Sequence, residues 1–175
     1  MGNGDNDKPS LIDQVKSIGE DASNLVDVLT AKAAANADLT SQELAAIDTL
    51  VKQSEAAMSE ASQLAKQQRR ERIEELEKMV EQLEGALATP GLPTGTRTEL
   101  QALKRRKRAQ LVGLLARESM DFGGILTVTQ VERIKDVLAR AKRDVATRKK
   151  AAAFLGTVME VADISLSIVG KVIAV

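Results

Sequence analysis

The chain has 175 residues, 43% of them hydrophobic, and its 25 basic and 25 acidic side chains give a formal net charge of zero. It contains no Cys, His, Trp or Tyr, and its only aromatic residues are Phe122 and Phe154. Those absences exclude disulfides, Cys or His zinc ligation, a thiol nucleophile and an imidazole general base, and they leave almost nothing on which nucleic-acid bases can stack.

Residues 1–10 are polar and rich in Gly, Asn and Asp, and read as a disordered tail. They lack the basic-then-apolar order of a cleavable signal peptide. The myristoylation pattern fails at Asn6, where Ser or Thr is needed. Asp5-Asn6-Asp7 lacks the twelfth-position Glu of a calcium loop. Localisation stays open between a soluble protein and one held at a membrane by its C-terminal segment.

From Ser10 onward the periodicity is helical nearly everywhere, and the three prolines, Pro9, Pro90 and Pro93, sit where it stops. Ser10 is a good N-cap for a first helix whose apolar residues Leu11, Val15, Ile18, Ala22, Leu25, Leu29 and Ala33 step by four and three. That helix should fade near residues 35–37. A second helix opens on a capping box, Thr40 with Glu43, stapled by Leu39 and Leu44. It should run to about Ala88, roughly 70 Å at 1.5 Å per residue. Its second half carries a heptad run of Ile73, Leu76, Val80, Leu83 and Leu87, and the wholly polar stretch 67–72 is a place for a kink or a solvated stretch. After the turn at 89–95, a third helix is expected from a box of Thr96 with Glu99 to about Ser119. A fourth opens on Thr127 with Gln130, its seam being Val131, Ile134, Leu138, Ala141 and Val145. No proline follows it, so it can continue to the last residue, or the chain can turn near residues 147–151 or at Gly156 and fold the last segment back onto the first helix and the N-terminal half of the second. The sequence holds both courses open, with no strong breaker at 147–151. The two stapled starts, at 39–44 and 126–131, fit either an internal duplication or convergence on good caps.

The predicted fold is therefore all-α: an elongated helical-hairpin or coiled-coil-like bundle of four helices in short-long-short-long order. Its expected organisation is a tail (1–10), an acidic N-terminal hairpin (11–88), a Pro/Gly turn (89–96), a basic hairpin (97–150) and an apolar C-terminal helix (151–175).

Arg97–Val175 carries 8 acidic and 16 basic residues, and its densest cationic block is Lys104, Arg105, Arg106, Lys107 and Arg108. A second basic cluster is Arg148, Lys149 and Lys150. Five adjacent cations suggest phosphate binding on nucleic acid or anionic lipid. An antiparallel hairpin would instead bring them level with Glu77–Glu81, where ion pairs set register. The zero net charge and missing aromatics favour the pairing and make nucleic acid an unlikely partner.

No enzyme constellation is present. The Ser and Thr residues have no base nearby in sequence, and Gly123-Gly124 lacks both a Walker lysine and a G-x-G-x-x-G pattern. No cofactor, metal or small-molecule substrate is expected.

The unusual segment is residues 151–175, AAAFLGTVMEVADISLSIVGKVIAV, in which 19 of 25 residues are apolar or Gly. Thr157, Glu160, Asp163, Ser167 and Lys171 fall at steps of three, three, four and four, a narrow polar stripe on an apolar helix. Such a helix is the core of a bundle, an oligomerisation surface or a membrane segment. Its length suits a span, but two carboxylates near its middle cost roughly 2.5–3.5 kcal/mol each unless they line a shared lumen. The expected oligomer or membrane interface is Phe154, Leu155, Val158, Val161, Ile164, Leu166, Ile168, Val172 and Ile173. The leading expectation is a non-catalytic structural or assembly protein that forms a homo-oligomer through helix-to-helix contacts. The alternatives are a membrane-active protein whose last helix inserts on oligomerisation, and a basic module binding nucleic acid or anionic lipid. In composition alone the chain resembles secreted filament subunits and virion or secretion-apparatus components.

Overall fold

The computed structural model describes residues 9–146 and 150–174, and their regular structure is helical throughout. The helices are α1 (Leu11–Ala34), α2 (Ser41–Leu87), α3 (Thr94–Leu115), α4 (Val128–Ala146) and α5 (Ala151–Ile173), with a single 3₁₀ turn at Asp121–Gly124. Five helices replace the expected four. Of the two courses open to the last segment it takes the fold-back: Lys150 has an extended conformation (φ −63°, ψ 151°) between α4 and α5, and α5 is a separate helix.

Two of the three expected capping boxes form. At α2 the Glu43 N–H donates to Thr40 Oγ1 at 3.2 Å and the Thr40 N–H donates to Glu43 Oε2 at 3.4 Å. At α4 the Gln130 N–H donates to Thr127 Oγ1 at 3.2 Å, answered by the Thr127 N–H on Gln130 Oε1 at 2.9 Å. Ser10 caps α1 by accepting from the Asp13 N–H at 3.2 Å. The Thr96–Glu99 box does not form. The helix starts three residues earlier, at Thr94 with Pro93 as its N-cap, and the Arg97 N–H donates to the Pro93 carbonyl at 3.0 Å. Pro93, with its φ fixed in the helical range, sets the start more firmly than a threonine already inside the first turn. α3 also ends at Leu115, short of Ser119, and α2 runs through the polar stretch 67–72 without a break.

The chain forms two compact units, one from the described parts of Met1–Ala61 and Thr127–Val175, the other from Ser62–Leu126. In the first, ties along the helices set each neighbour's direction. Gln14 Nε2 donates to Glu60 Oε2 at 2.5 Å and Lys32 pairs with Glu43, so α1 runs antiparallel to the start of α2. Lys142 Nζ lies 2.6 Å from Glu55 and Arg140 Nη2 lies 2.9 Å from Glu160, which link α4 to α2 and α5 to α4. α5 packs against both α1 and α4. Val51, Val137, Ala141 and Val161 meet in the core with Leu138 and Ile164 against them, and α1 adds Ile18, Ala22, Leu25 and Leu29. The buried hydroxyls of Ser54 and Ser165 donate one turn back, to the carbonyls of Leu50 (2.9 Å) and Val161 (2.7 Å), so neither is left unsatisfied.

The second unit is an antiparallel hairpin of α2 residues 62–87 with α3. Arg97 donates to the Leu87 carbonyl, Lys104 and Arg108 reach Glu84, and Arg70 reaches Glu118. Ile73, Leu76 and Val80 are buried on α2, whereas no residue of α3 is fully buried.

Energetics explain why the last helix turns back despite the absence of a breaker. Phe154, Val158, Val161, Val169 and Val172 are all at most 1% exposed. Each such side chain contributes about 1.5–3 kcal/mol when taken out of water. Interrupting a helix forfeits up to about four backbone hydrogen bonds, worth about 0.5–1.5 kcal/mol each. Burial wins, and the return is pinned where Lys150 bridges Asp38 and its Nζ donates to Asn36 Oδ1 at 3.1 Å. Phe154→Ala should accordingly lower the urea-unfolding free energy by about 3–5 kcal/mol. Ser167→Ala on the exposed side of the same helix should change it by no more than about 0.5 kcal/mol. Far-UV circular dichroism reads both.

Candidate functional site

Successive residues of α5 turn by about 100°. Phe154, Val158, Val161, Ser165, Ile168, Val169 and Val172 fall on one arc and are buried. The opposite arc carries Ala152, Gly156, Asp163 and Gly170, all exposed. Along its edge lie Met159, Leu166 and Ile173, one residue every seven, with 55%, 42% and 43% of their surfaces in solvent. That spacing keeps three large apolar groups in one line down the helix.

The edge borders α1. A Cβ placed on Gly19 would lie 3.9 Å from Leu166 Cδ2. One heptad to either side in the same antiparallel register, Ile12 comes level with Ile173 and Val26 level with Met159. Ile12 is 49% exposed and Val26 half-buried. The result is an apolar stripe shared by two helices, with Gly19 at its middle.

Of the nine apolar residues singled out in the sequence, Phe154, Val158, Val161, Ile168 and Val172 are buried inside the chain's own unit, and Leu155 and Ile164 are half-buried. Leu166 and Ile173 face solvent. Sequence reasoning missed Met159, the most exposed large residue of α5, and Ile12. The signal for Ile12 was available, since it lies beside the 11–18–22–25–29 seam and not on it.

The polar stripe divides. Thr157 is buried, Asp163, Ser167 and Lys171 are exposed, and Glu160 is half-buried between two arginines of α4. Arg140 Nη2 is 2.9 Å and Arg133 Nη2 3.7 Å from its carboxylate. Beside this pairing is an open groove of about 620 Å³ whose charged lining is Glu132, Arg133, Asp136, Arg140, Arg143 and Glu160. Three cations face three carboxylates there, so it selects for neither sign. No group of three or more Asp or Glu among the described residues is placed to hold a metal ion.

The basic patch divides as well. Lys104 Nζ and Arg108 Nη2 reach Glu84 at 3.0 and 2.6 Å, about a turn nearer the loop than residues 77–81. Arg105 and Arg106 are exposed, Lys107 is half-buried, and none of the three forms an ion pair among the described residues. Lys150 is exposed at the α4–α5 junction, and Arg148 and Lys149 lie outside the described residues.

Two carboxylates titrate low. At Glu43 burial pushes the pKa up, but hydrogen bonds from Lys32 and the Thr40 N–H outweigh it. The Lys104 hydrogen bond and charge, with Arg108 behind them, hold Glu84 below the usual glutamate range. A depressed carboxyl stabilises the fold at neutral pH and loses that contribution as pH falls through its folded pKa.

Among the described residues α5 is the one helix long and apolar enough, by length and composition, to cross a membrane. No family model matches the chain, and no curated protein sequence or solved structure is similar to it.

Glu84→Gln should lower hairpin stability slightly at neutral pH, and the gap from the wild type should close as pH drops below the usual glutamate range. Urea midpoints measured down an acid series check this. A gap independent of pH would show that the Lys104 and Arg108 pairings contribute nothing.

Proposed function

We propose that this chain is a non-catalytic structural or assembly protein that works by helix-to-helix self-association, with the α1–α5 stripe as its interface. The observation that carries this reading is the line Met159, Leu166 and Ile173, with Ile12 alongside. A helix already satisfied on its core side has no internal reason to hold three large apolar groups in register on the other. Exposed apolar surface of that kind marks a contact site. In this reading the α2–α3 hairpin, with heptad residues Ile73, Leu76 and Val80 on one seam, is coiled-coil-like.

The surrounding charges favour a second copy over anionic lipid. Asp163 lies on the exposed arc itself, and Asp13, Glu20 and Asp27 are exposed on α1. Against them stand Lys16 and Lys171, too few cations to draw the stripe onto anionic headgroups. Membrane insertion of α5 is the second reading, and its support is the length and apolarity of that helix. Insertion would first have to extract Phe154 and four valines from the core.

Light scattering on the full chain should report a multiple of the 18.8 kDa monomer. Leu166→Glu with Ile173→Glu should bring the mass to that of the monomer while far-UV circular dichroism keeps its helical signal. A wild-type chain that is monomeric at every concentration would overturn the proposal. If the monomer instead floats with anionic vesicles and makes them leak dye, the second reading replaces it.

A further inference from the structure

In the Ser62–Leu126 unit the segment after α3 folds back onto α2 through three consecutive residues in the left-handed region, Phe122 (φ 53°), Gly123 (φ 58°) and Gly124 (φ 76°). Phe122 is not a residue that takes this conformation freely. Its ring is buried, its N–H donates to Ser62 Oγ at 3.3 Å, and the Gly123 N–H donates to the Met120 carbonyl at 3.0 Å. Both glycines make room for arginines. A Cβ on Gly123 would lie 3.0 Å from Arg69 Nε and 3.0 Å from the Ala65 carbonyl oxygen, and one on Gly124 would lie 3.0 Å from Arg117 Cβ.

Arg69 Nε and Nη1 are shielded from solvent and donate to nothing. Burial pulls the Arg69 pKa below the usual guanidinium value, and the charge of another cation, Arg117, adds to it. Glu118, adjacent in sequence, is taken by Arg70 at 3.3 Å. Neither Arg69 nor Arg117 forms an ion pair among the described residues. Buried N–H groups without acceptors are costly, and the charge of a second arginine adds repulsion. A doubly charged oxyanion removes both costs, because it supplies acceptors in the fork geometry that arginine prefers and matches the charge of the pair.

We propose that the turn at 120–124, with Arg69 and Arg117, is a binding site for a phosphate-class oxyanion. Arg117 is exposed and Arg69 half-buried, so the anion enters from the solvent side and the Arg69 side chain turns its shielded N–H groups onto it. The surrounding unit favours the same sign of ligand, with 12 basic and 9 acidic residues between 62 and 126. The site does not depend on the α1–α5 stripe.

Inorganic phosphate titrated into the full chain at constant ionic strength, followed by calorimetry and by thermal unfolding, tests this. Saturable binding is expected, at least tenfold weaker in Arg69→Gln and in Arg117→Gln. Arg105→Gln with Arg106→Gln, on the exposed basic face of α3, should leave it unchanged. Arg69→Lys keeps the charge and loses the fork, so it should weaken binding even where Arg69→Gln fails to fold, and Arg117→Gln at an exposed position gives an independent reading. Absence of saturable binding overturns the proposal. So does binding that survives both Arg117→Gln and Arg69→Lys, or that disappears with Arg105 and Arg106. An equal thermal shift from acetate would mean charge screening alone and would count against it as well.

Discussion

Burial of one face of α5 against α1 and α4 is the constraint on which the larger unit depends. Phe154 and the four valines around it are shielded almost completely. They obtain that shielding only because α5 lies back along α4 and α1. Each other feature of the unit follows from the reversal. It sets α5 antiparallel to α1, brings Glu160 under Arg133 and Arg140, and places Asp38 opposite Lys150. The first core residues of the chain and the last therefore depend on one another, so the unit cannot form until both ends are present. Contacts that distant in sequence form late, after their loop-closure entropy has been met.

The ion pairs do a different job. Glu84 binds two cations of α3, and Glu160 binds two of α4. Exposed pairs of this kind contribute about 0–1 kcal/mol each, less than one buried valine. What they supply is register. α3 buries no residue fully, so apolar packing alone would let it slide along α2. A single carboxylate held by Lys104 and Arg108, one turn apart, allows one position and penalises its neighbours.

Local chemistry was legible in the sequence, and competition between distant parts was not. The boxes at Thr40 and Thr127 and the cap at Ser10 formed where the residues indicated, because a cap is decided within four residues. The Thr96 box failed for a reason just as local, Pro93 having fixed the helix start three residues earlier. The end of α4 is another matter. Residues 147–150 contain no Pro or Gly, and nothing in them signals a stop. The break is imposed by apolar residues up to 22 positions further on and by the α1 surface that receives them. The Phe122–Gly124 turn lies between these cases. Its glycine pair announced a loop, but the two arginines it accommodates are separated by nearly fifty residues of chain.

A helix in an antiparallel bundle buries an arc of limited width, and the rest of its circumference meets solvent or a partner. On α1 the arc beyond the core seam is mostly Asp, Glu, Lys, Ser and Thr, with Ile12 and Val28 as large apolar exceptions. The outer arc of α5 is composed differently. Its exposed arc is centred on Ala152, Gly156 and Gly170, edged by Met159, Leu166 and Ile173, and broken by Asp163. Neither glycine is required by the chain's own packing, since a Cβ at Gly156 or Gly170 would meet nothing within 4 Å. Both lie inside a helix, where glycine costs about 1 kcal/mol relative to alanine. The surplus apolarity of α5 is thus ordered by position along the helix, with large groups in one line and small ones in the next. A core helix selected only for its buried side would have no cause to order its outer side, and that ordering supports the proposal of a contact surface along α5.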